Sequence, residues 1–396
     1  MKRIVLILFI IFSFFSIANA QDMKLKPFSI FEGGKRYKFG KIDLLDLHGD
    51  YREMGRQYGM LMKDDLKKFY HLSVEKHLLK HEGLNYQEIR DIAANLFDTY
   101  PQRFKEIIYG MVETSGLDVD KLIILDQILA VSYVSSTYNN MGCSTIATWG
   151  DYTSGGPLVL GRNFDYIDYF RNFGEYLVVT MYSPNDGSIP VATIGYDGQV
   201  GVMNAINRVG IFLENNEAIV SGGNIFYSNR THFFIQELAA LLNSYTMETL
   251  DAYMNTIRTN CSLIVNIADE NNAYSYETPP FDTKRRNADH PGLLVATNHF
   301  VDPTWGVLEP IHDTPDFSVR RRKNLLAMAE RYKGEFSPKK MMEILDISIK
   351  DGGATLPKVT IYQIVVVPKE LKLWLKIPGF QNWTEIDLKP LFENGA

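Results

Sequence analysis

Cysteine is nearly missing from this chain: 396 residues carry only Cys143 and Cys261. A disulfide framework is therefore excluded, and one bridge between these two is the most that can form. Basic residues are not in excess either, since 41 Lys and Arg stand against 47 Asp and Glu, for a net charge of −6. The densest basic run, Arg320-Arg321-Arg322-Lys323, is short, so no nucleic-acid partner is expected. Beyond the amino-terminal twenty residues, no stretch is apolar enough to span a bilayer, and no stable membrane anchor is expected. There is no internal repeat, low-complexity segment or flexible linker.

Several catalytic signatures are missing as well. The chain has no Gly-x-Ser-x-Gly elbow and no phosphate-cradling glycine loop. Two Ser-x-x-Lys matches occur, Ser73 to Lys76 and Ser337 to Lys340, without the companion motifs of penicillin-recognising enzymes. Among eight histidines, His77 and His81 lie four apart on a predicted helix, but no His-Glu-x-x-His pattern accompanies them, so neither metal nor cofactor is expected. His299 is a conceivable partner for a papain-like cysteine, yet the local signature of such proteases is missing.

The chain does have an apolar fraction of 45%, with 23 Phe and 22 Tyr, enough for a large core. Its first twenty residues read as a secretory signal: Lys2-Arg3, an apolar run from Ile4 to Ile17, and the cleavage pattern Ala18-Asn19-Ala20. Export to the periplasm or medium is expected, with the mature chain starting near Gln21. An exported chain with two cysteines leaves room for a reactive thiol.

From about Asp50 to Val134 the period is helical. Tyr51, Met54, Tyr58, Leu61, Leu66, Phe69 and Leu72 form one stripe, and Gly55 and Gly59 leave a strip for close approach. Further helices are expected over 85–97, 101–114 and 119–134. At Cys143 the period changes to strand. Residues 144–149 and 157–161 read as a hairpin, as do 176–182 and 189–194 around Asn185-Asp186-Gly187. Strands are also expected over 200–203 and 211–215, then 262–268, 273–277 and 293–297, with helices over 232–245 and 247–258 before them. A helical block over 319–347 precedes a last hairpin, 359–367 with 371–377. This order suggests two sheets between helical layers.

Gly142 precedes Cys143 at the helix-to-strand junction. A glycine there lets the following thiol approach the preceding carbonyl, as an N-to-S acyl shift requires. A cut at that bond leaves Cys143 with a thiol and an α-amine of pKa about 7.7–8.0, nucleophile and base in one residue. The predicted hairpin returns Gly161-Arg162-Asn163-Phe164-Asp165 beside it. Arg162 can hold the thiolate or a carbonyl oxygen, and Asp165 can anchor the new ammonium. Taken alone, a cysteine opening a buried strand is more often core, and Cys261, with no such neighbours, is read so.

These segments, together with Leu47 to Gly59 and Ala296-Thr297-Asn298-His299-Phe300, resemble the cysteine N-terminal-nucleophile hydrolases, above all the acyl-CoA:6-aminopenicillanate acyltransferase-like branch and the choloylglycine hydrolase group. The resemblance covers roughly residues 40–380. It implies an α+β fold, a four-layer αββα sandwich, with residues 21–142 as a mainly helical pro-segment and 143–396 as the catalytic chain. It implies Cys143 as nucleophile, flanked by Arg162 and Asp165, and Asn298 as an oxyanion or substrate-orienting donor. A second family Asn falls at Asn215-Asn216; adjacent strand residues face opposite ways, and Asn216 is taken as the inward one. A late Arg falls within Arg320-Arg321-Arg322, and Arg320 is taken. The expected activity is hydrolysis of linear N-acyl amides, such as bile-salt conjugates, N-acyl amino acids or amines, or penicillins. Acyl transfer to an amine, or a non-catalytic binding protein of the same fold, are the alternatives. The expected partners are the small-molecule amide, the chain's own retained pro-segment and a possible second copy.

Overall fold

Cap and turn residues set the ends of the elements as their chemistry requires. Asp50 accepts from the Glu53 backbone N–H and the Glu53 carboxylate accepts from that of Asp50, opening the helix Tyr51–Leu61 with a capping box. Gly187, at φ 89°, supplies the left-handed residue that the hairpin turn after Asn185-Asp186 needs. The structure is a computed structural model that describes residues 26–135, 142–223, 225–310, 314 and 316–394. The secretory signal at 1–20 lies outside the described residues.

The described strands are, in chain order, β1 (Ser29–Phe31), β2 (Gly34–Phe39), β3 (Ile42–Gly49), β4 (Gly142–Thr148), β5 (Val159–Asp165) and β6 (Leu177–Pro184). They continue with β7 (Val191–Tyr196), β8 (Asn204–Asn207), β9 (Phe212–Glu217), β10 (Leu263–Ala268) and β11 (Ala273–Thr278). The last are β12 (Lys284–Arg286), β13 (Leu293–Ala296), β14 (Thr360–Val367), β15 (Lys372–Ile377) and β16 (Gln381–Asp387). Among the described residues they make a ten-stranded sheet, β1-β2-β3-β6-β7-β8-β9-β10-β11-β12, and a six-stranded one, β13-β4-β5-β14-β15-β16. The helices Ser318–Arg331 and Pro338–Leu345 cover the smaller sheet, while Tyr51–Leu61 and Phe233–Asn243 cover the larger. β4 and β9 meet where the two sheets face each other. The architecture is thus the α+β, four-layer αββα sandwich that the resemblance implies.

Two strand expectations change. Residues 200–203 form no strand; β8 lies four residues later, because Gly201 packs its backbone against Phe234 and the chain turns there. Strands β1 to β3 had no counterpart in the helical reading of the pro-segment. β3 pairs in parallel with β6, from Asp43 opposite Val178 to Gly49 opposite Pro184, so the segment before Cys143 is built into the larger sheet. Parallel neighbours so far apart in sequence leave no local turn signal to read.

The Gly55-Gly59 strip does receive another element. A Cβ on Gly55 would lie 2.1 Å from the Ile107 carbonyl oxygen of the helix Gln102–Ser115. Gly55→Ala is therefore expected to destabilise the protein by about 1–3 kcal/mol through overpacking, outweighing the better helix propensity of Ala by up to about 1 kcal/mol. Chemical denaturation measures this; an unchanged or raised midpoint would mean that the two helices do not pack this closely.

Candidate active site

β4 and β5 pair antiparallel, with Gly142 opposite Asp165, Cys143 opposite Phe164 and Thr145 opposite Arg162. Alternation then puts Cys143, Thr145 and Arg162 on the face toward the larger sheet, and Asp165 on the face toward the helix Ser318–Arg331. Arg162 is fully buried. Its Nη2 donates to Cys143 Sγ at 3.4 Å, its Nε pairs with Glu214 at 3.1 Å, and its Nη1 donates to the Met203 carbonyl at 2.9 Å and to Asn204. Burial pushes the Cys143 thiol pKa up, and the Arg162 charge opposes that shift. Burial likewise raises Glu214, against Arg162 and the bonds from Thr145 and Asn266.

The backbone nitrogen of Cys143 is held separately. It donates to Asn298 Oδ1 at 2.8 Å, and Asn298 Nδ2 donates to the Glu217 carbonyl at 2.7 Å. Asn298 follows β13, and its own N–H donates to Ser318 Oγ at 2.8 Å, which fixes the turn against the start of the helix Ser318–Arg331. His299 Nδ1 bonds to the same Ser318 hydroxyl at 2.7 Å, and the ring does not line the cavity beside Cys143.

One chosen residue is corrected by the geometry. Arg320 is exposed, its guanidinium over the Phe317 ring, whereas Arg321 is fully buried. Arg321 donates to Asp165 at 2.9 Å, Asn298 Oδ1 at 2.7 Å and Asp316 at 3.0 Å. The helix phase decides this, since consecutive residues are rotated about 100° apart. Asn216 faces the layer between the sheets, where its Nδ2 donates at 3.3 Å to the hydroxyl of Thr145, on the same face of β4 as Cys143, without lining the cavity itself. Asn215 lines that cavity and donates to Glu237 at 3.0 Å. Asp165 is also used differently from expected: its carboxylate takes bonds from Arg321 and Thr360, and it reaches the Cys143 nitrogen through Arg321 and Asn298. Burial pushes Asp165 up to about 6, against the pull of Arg321.

The cavity measures about 80 Å³, and its surface is almost wholly apolar. Leu129, Ala130 and Tyr133 of the helix Ile128–Ser135 form one wall, Phe164 and Tyr166 a second, and Phe226, Phe233 and Phe234 a third. Cys261 also borders it, and both thiols are free. Two ionisable residues of the lining are held neutral at pH 7 by burial: Glu217, pushed up to about 8, and His232, pushed down to about 3. Sequence reading held Asn215 and Arg321 as alternatives to the residues taken and missed Glu217, for which the alternation along β9 was the available signal.

Glu217 gives a pH prediction. Its folded-state pKa lies above the ordinary 4.5, so the folded chain binds the extra proton between these values. The stability that this supplies is complete below about 4.5 and is lost as the pH rises through about 8. Glu217→Gln should flatten that part of a melting-temperature profile, and an unchanged slope would show that Glu217 titrates normally.

No family model matches the chain. It is 24% identical over 289 residues to Protein dcd1B of Dictyostelium discoideum, a match covering 64% of this chain and 54% of that one. The chain therefore spans about half the length of that curated relative. Among solved structures it is similar to a variant of the conjugated bile acid hydrolase of Clostridium perfringens, with a TM-score of 0.45 and 12% identity over 62% of this chain and 93% of the other. It is also similar to the Caenorhabditis elegans ortholog of N-acylethanolamine-hydrolyzing acid amidase, at 0.40 and 17% over 57% and 93%. The penicillin V acylase of Agrobacterium tumefaciens gives 0.40 and 11% over 62% and 86%.

Proposed function

We propose that the chain is an exported amide hydrolase that cuts itself between Gly142 and Cys143 and uses the freed Cys143 against linear N-acyl amides. One observation carries this reading: the sulfur and the nitrogen of the same residue are each held by a different polar side chain, Arg162 and Asn298, at the wall of an apolar cavity. A core cysteine has no need of a buried cation at its sulfur, and its backbone nitrogen would ordinarily be satisfied by the strand ladder. The cavity is lined almost wholly by apolar side chains, which suits an apolar acyl group. The thiol attacks the acyl carbonyl and passes its proton to the α-amine; the amine product leaves protonated, and water cleaves the thioester. Arg162, fixed by Glu214, stays charged and favours the thiolate form of the nucleophile.

Export rests on the signal sequence, and it favours water over acyl transfer because coenzyme A thioesters are cytoplasmic. Retention of the pro-segment is supported by the pairing of β3 with β6 and by the cavity wall made from Ile128–Ser135.

A panel of N-acyl amides varying in chain length and head group, with intact-mass analysis of the active material, tests the reading. Fragments starting at Gln21 and Cys143 and turnover that rises with an apolar acyl group are expected. An uncut chain in active material would end the self-processing part, and faster turnover of linear peptides would end the amidase part.

A further inference from the structure

A second cluster lies away from this cavity, on the segment Tyr70–His81, which is wound as a π-helix. In an α-helix Glu82 would be rotated about 140° from His77 and could not share its face. With i to i+5 bonding, at roughly 4.4 residues per turn, the same residue returns to roughly 50° from His77, while His81 stays near it. The bond from the Glu82 N–H to the His77 carbonyl, 2.9 Å, closes that wider turn. A ring nitrogen of His77, one of His81 and a carboxylate oxygen of Glu82 thereby converge, all within 4.8 Å of one another. Glu82 Oε1 is 2.9 Å from His81 Nδ1 and 3.9 Å from His77 Nε2.

His77 supplies an independent observation. Its ring is only 6% exposed and stacks on Tyr169. Nδ1 is buried without a hydrogen-bond partner among the described residues, while Nε2 lies 3.9 Å from Glu82 Oε1, beyond hydrogen-bond distance. A buried ring nitrogen without a hydrogen bond is costly unless another partner takes it up.

We propose that His77, His81 and Glu82 form a binding site for a borderline divalent cation of the Zn²⁺ type. Two imidazoles and one carboxylate suit such an ion better than Mg²⁺ or Ca²⁺, which take oxygen ligands. Bond lengths of about 2.0–2.2 Å need donors roughly 3.3 Å apart, a spacing that small side-chain adjustments of the exposed His81 and Glu82 can reach. The ion would clamp the end of the π-helix where His77 rests on Tyr169, joining the pro-segment to the catalytic segment.

Calorimetric titration of the whole protein with Zn²⁺ tests the site. The wild-type chain should show a saturable site that His81→Ala and Glu82→Ala each weaken by more than about tenfold. Both side chains lie at the surface, so the variants should fold, and unchanged melting temperatures without metal check this. Zn²⁺ should raise the melting temperature of the wild type and not of the variants. Equal binding in all three proteins, or none in the wild type, would overturn the assignment; equal binding would place the ion at other donors such as Cys143.

Discussion

Replacing Cys143 with Ala should leave the chain uncut at Gly142 and lower amide turnover by on the order of 10⁴- to 10⁶-fold, the loss that follows removal of a nucleophile acting with its base. The size follows from the geometry, because sulfur and future α-amine belong to one residue and both vanish from the reaction together. Arg162 and Asn298 remain in place in this variant, so their donors alone set the residual rate. Removing a single sulfur atom from a buried position leaves only a small cavity, a minor effect beside that loss. Cys261→Ala is the control: that thiol borders the same cavity but no such pair of contacts holds it, and processing and turnover should persist. Intact mass and a single-turnover assay distinguish the outcomes. If the Cys143→Ala chain is still cut and active, the nucleophile lies elsewhere.

The other large effect is a contrast between neighbours. Arg321→Ala should destabilise the protein by about 3–5 kcal/mol, because it leaves buried carboxylates without their cation. Asp165 and Asp316 both pair with that guanidinium, and the Arg321 and Asp165 side chains are completely buried. Asn298 loses a donor to the same oxygen that holds the Cys143 nitrogen, so any chain that still folds should process slowly. Arg320→Ala, on the exposed face of the same helix, should stay within about 0.5 kcal/mol. Urea unfolding of both variants gives the comparison. Equal losses would mean that the helix presents a different arginine to the site.

Local patterns carried much of this protein. The hairpin of β4 and β5 follows from the strand alternation around Cys143 and a turn-forming stretch, and that hairpin alone brings Arg162 to the thiol. The helices before Cys143 follow from a 3.6-residue stripe with its caps, and the small-residue strip at Gly55 is met by a second helix. These are short-range relations, where spacing fixes direction.

Where a contact depends on register between distant segments, spacing could not decide. Asn215 and Asn216 differ by a flip of face, and only the pairing of β9 with its neighbours chooses between them. The choice among Arg320, Arg321 and Arg322 depends on the phase of a helix docked by Ser318 onto Thr297 to His299, a contact across about twenty residues. The pairing of β3 with β6 and the π-helical turn that gathers His77, His81 and Glu82 lack any local signature of their own. The sequence by itself thus determined the kinds of element, the Gly142-Cys143 junction and its near neighbours. Only the tertiary structure decided which side chains face the cavity, because a strand or helix defines its faces locally but burial selects among them.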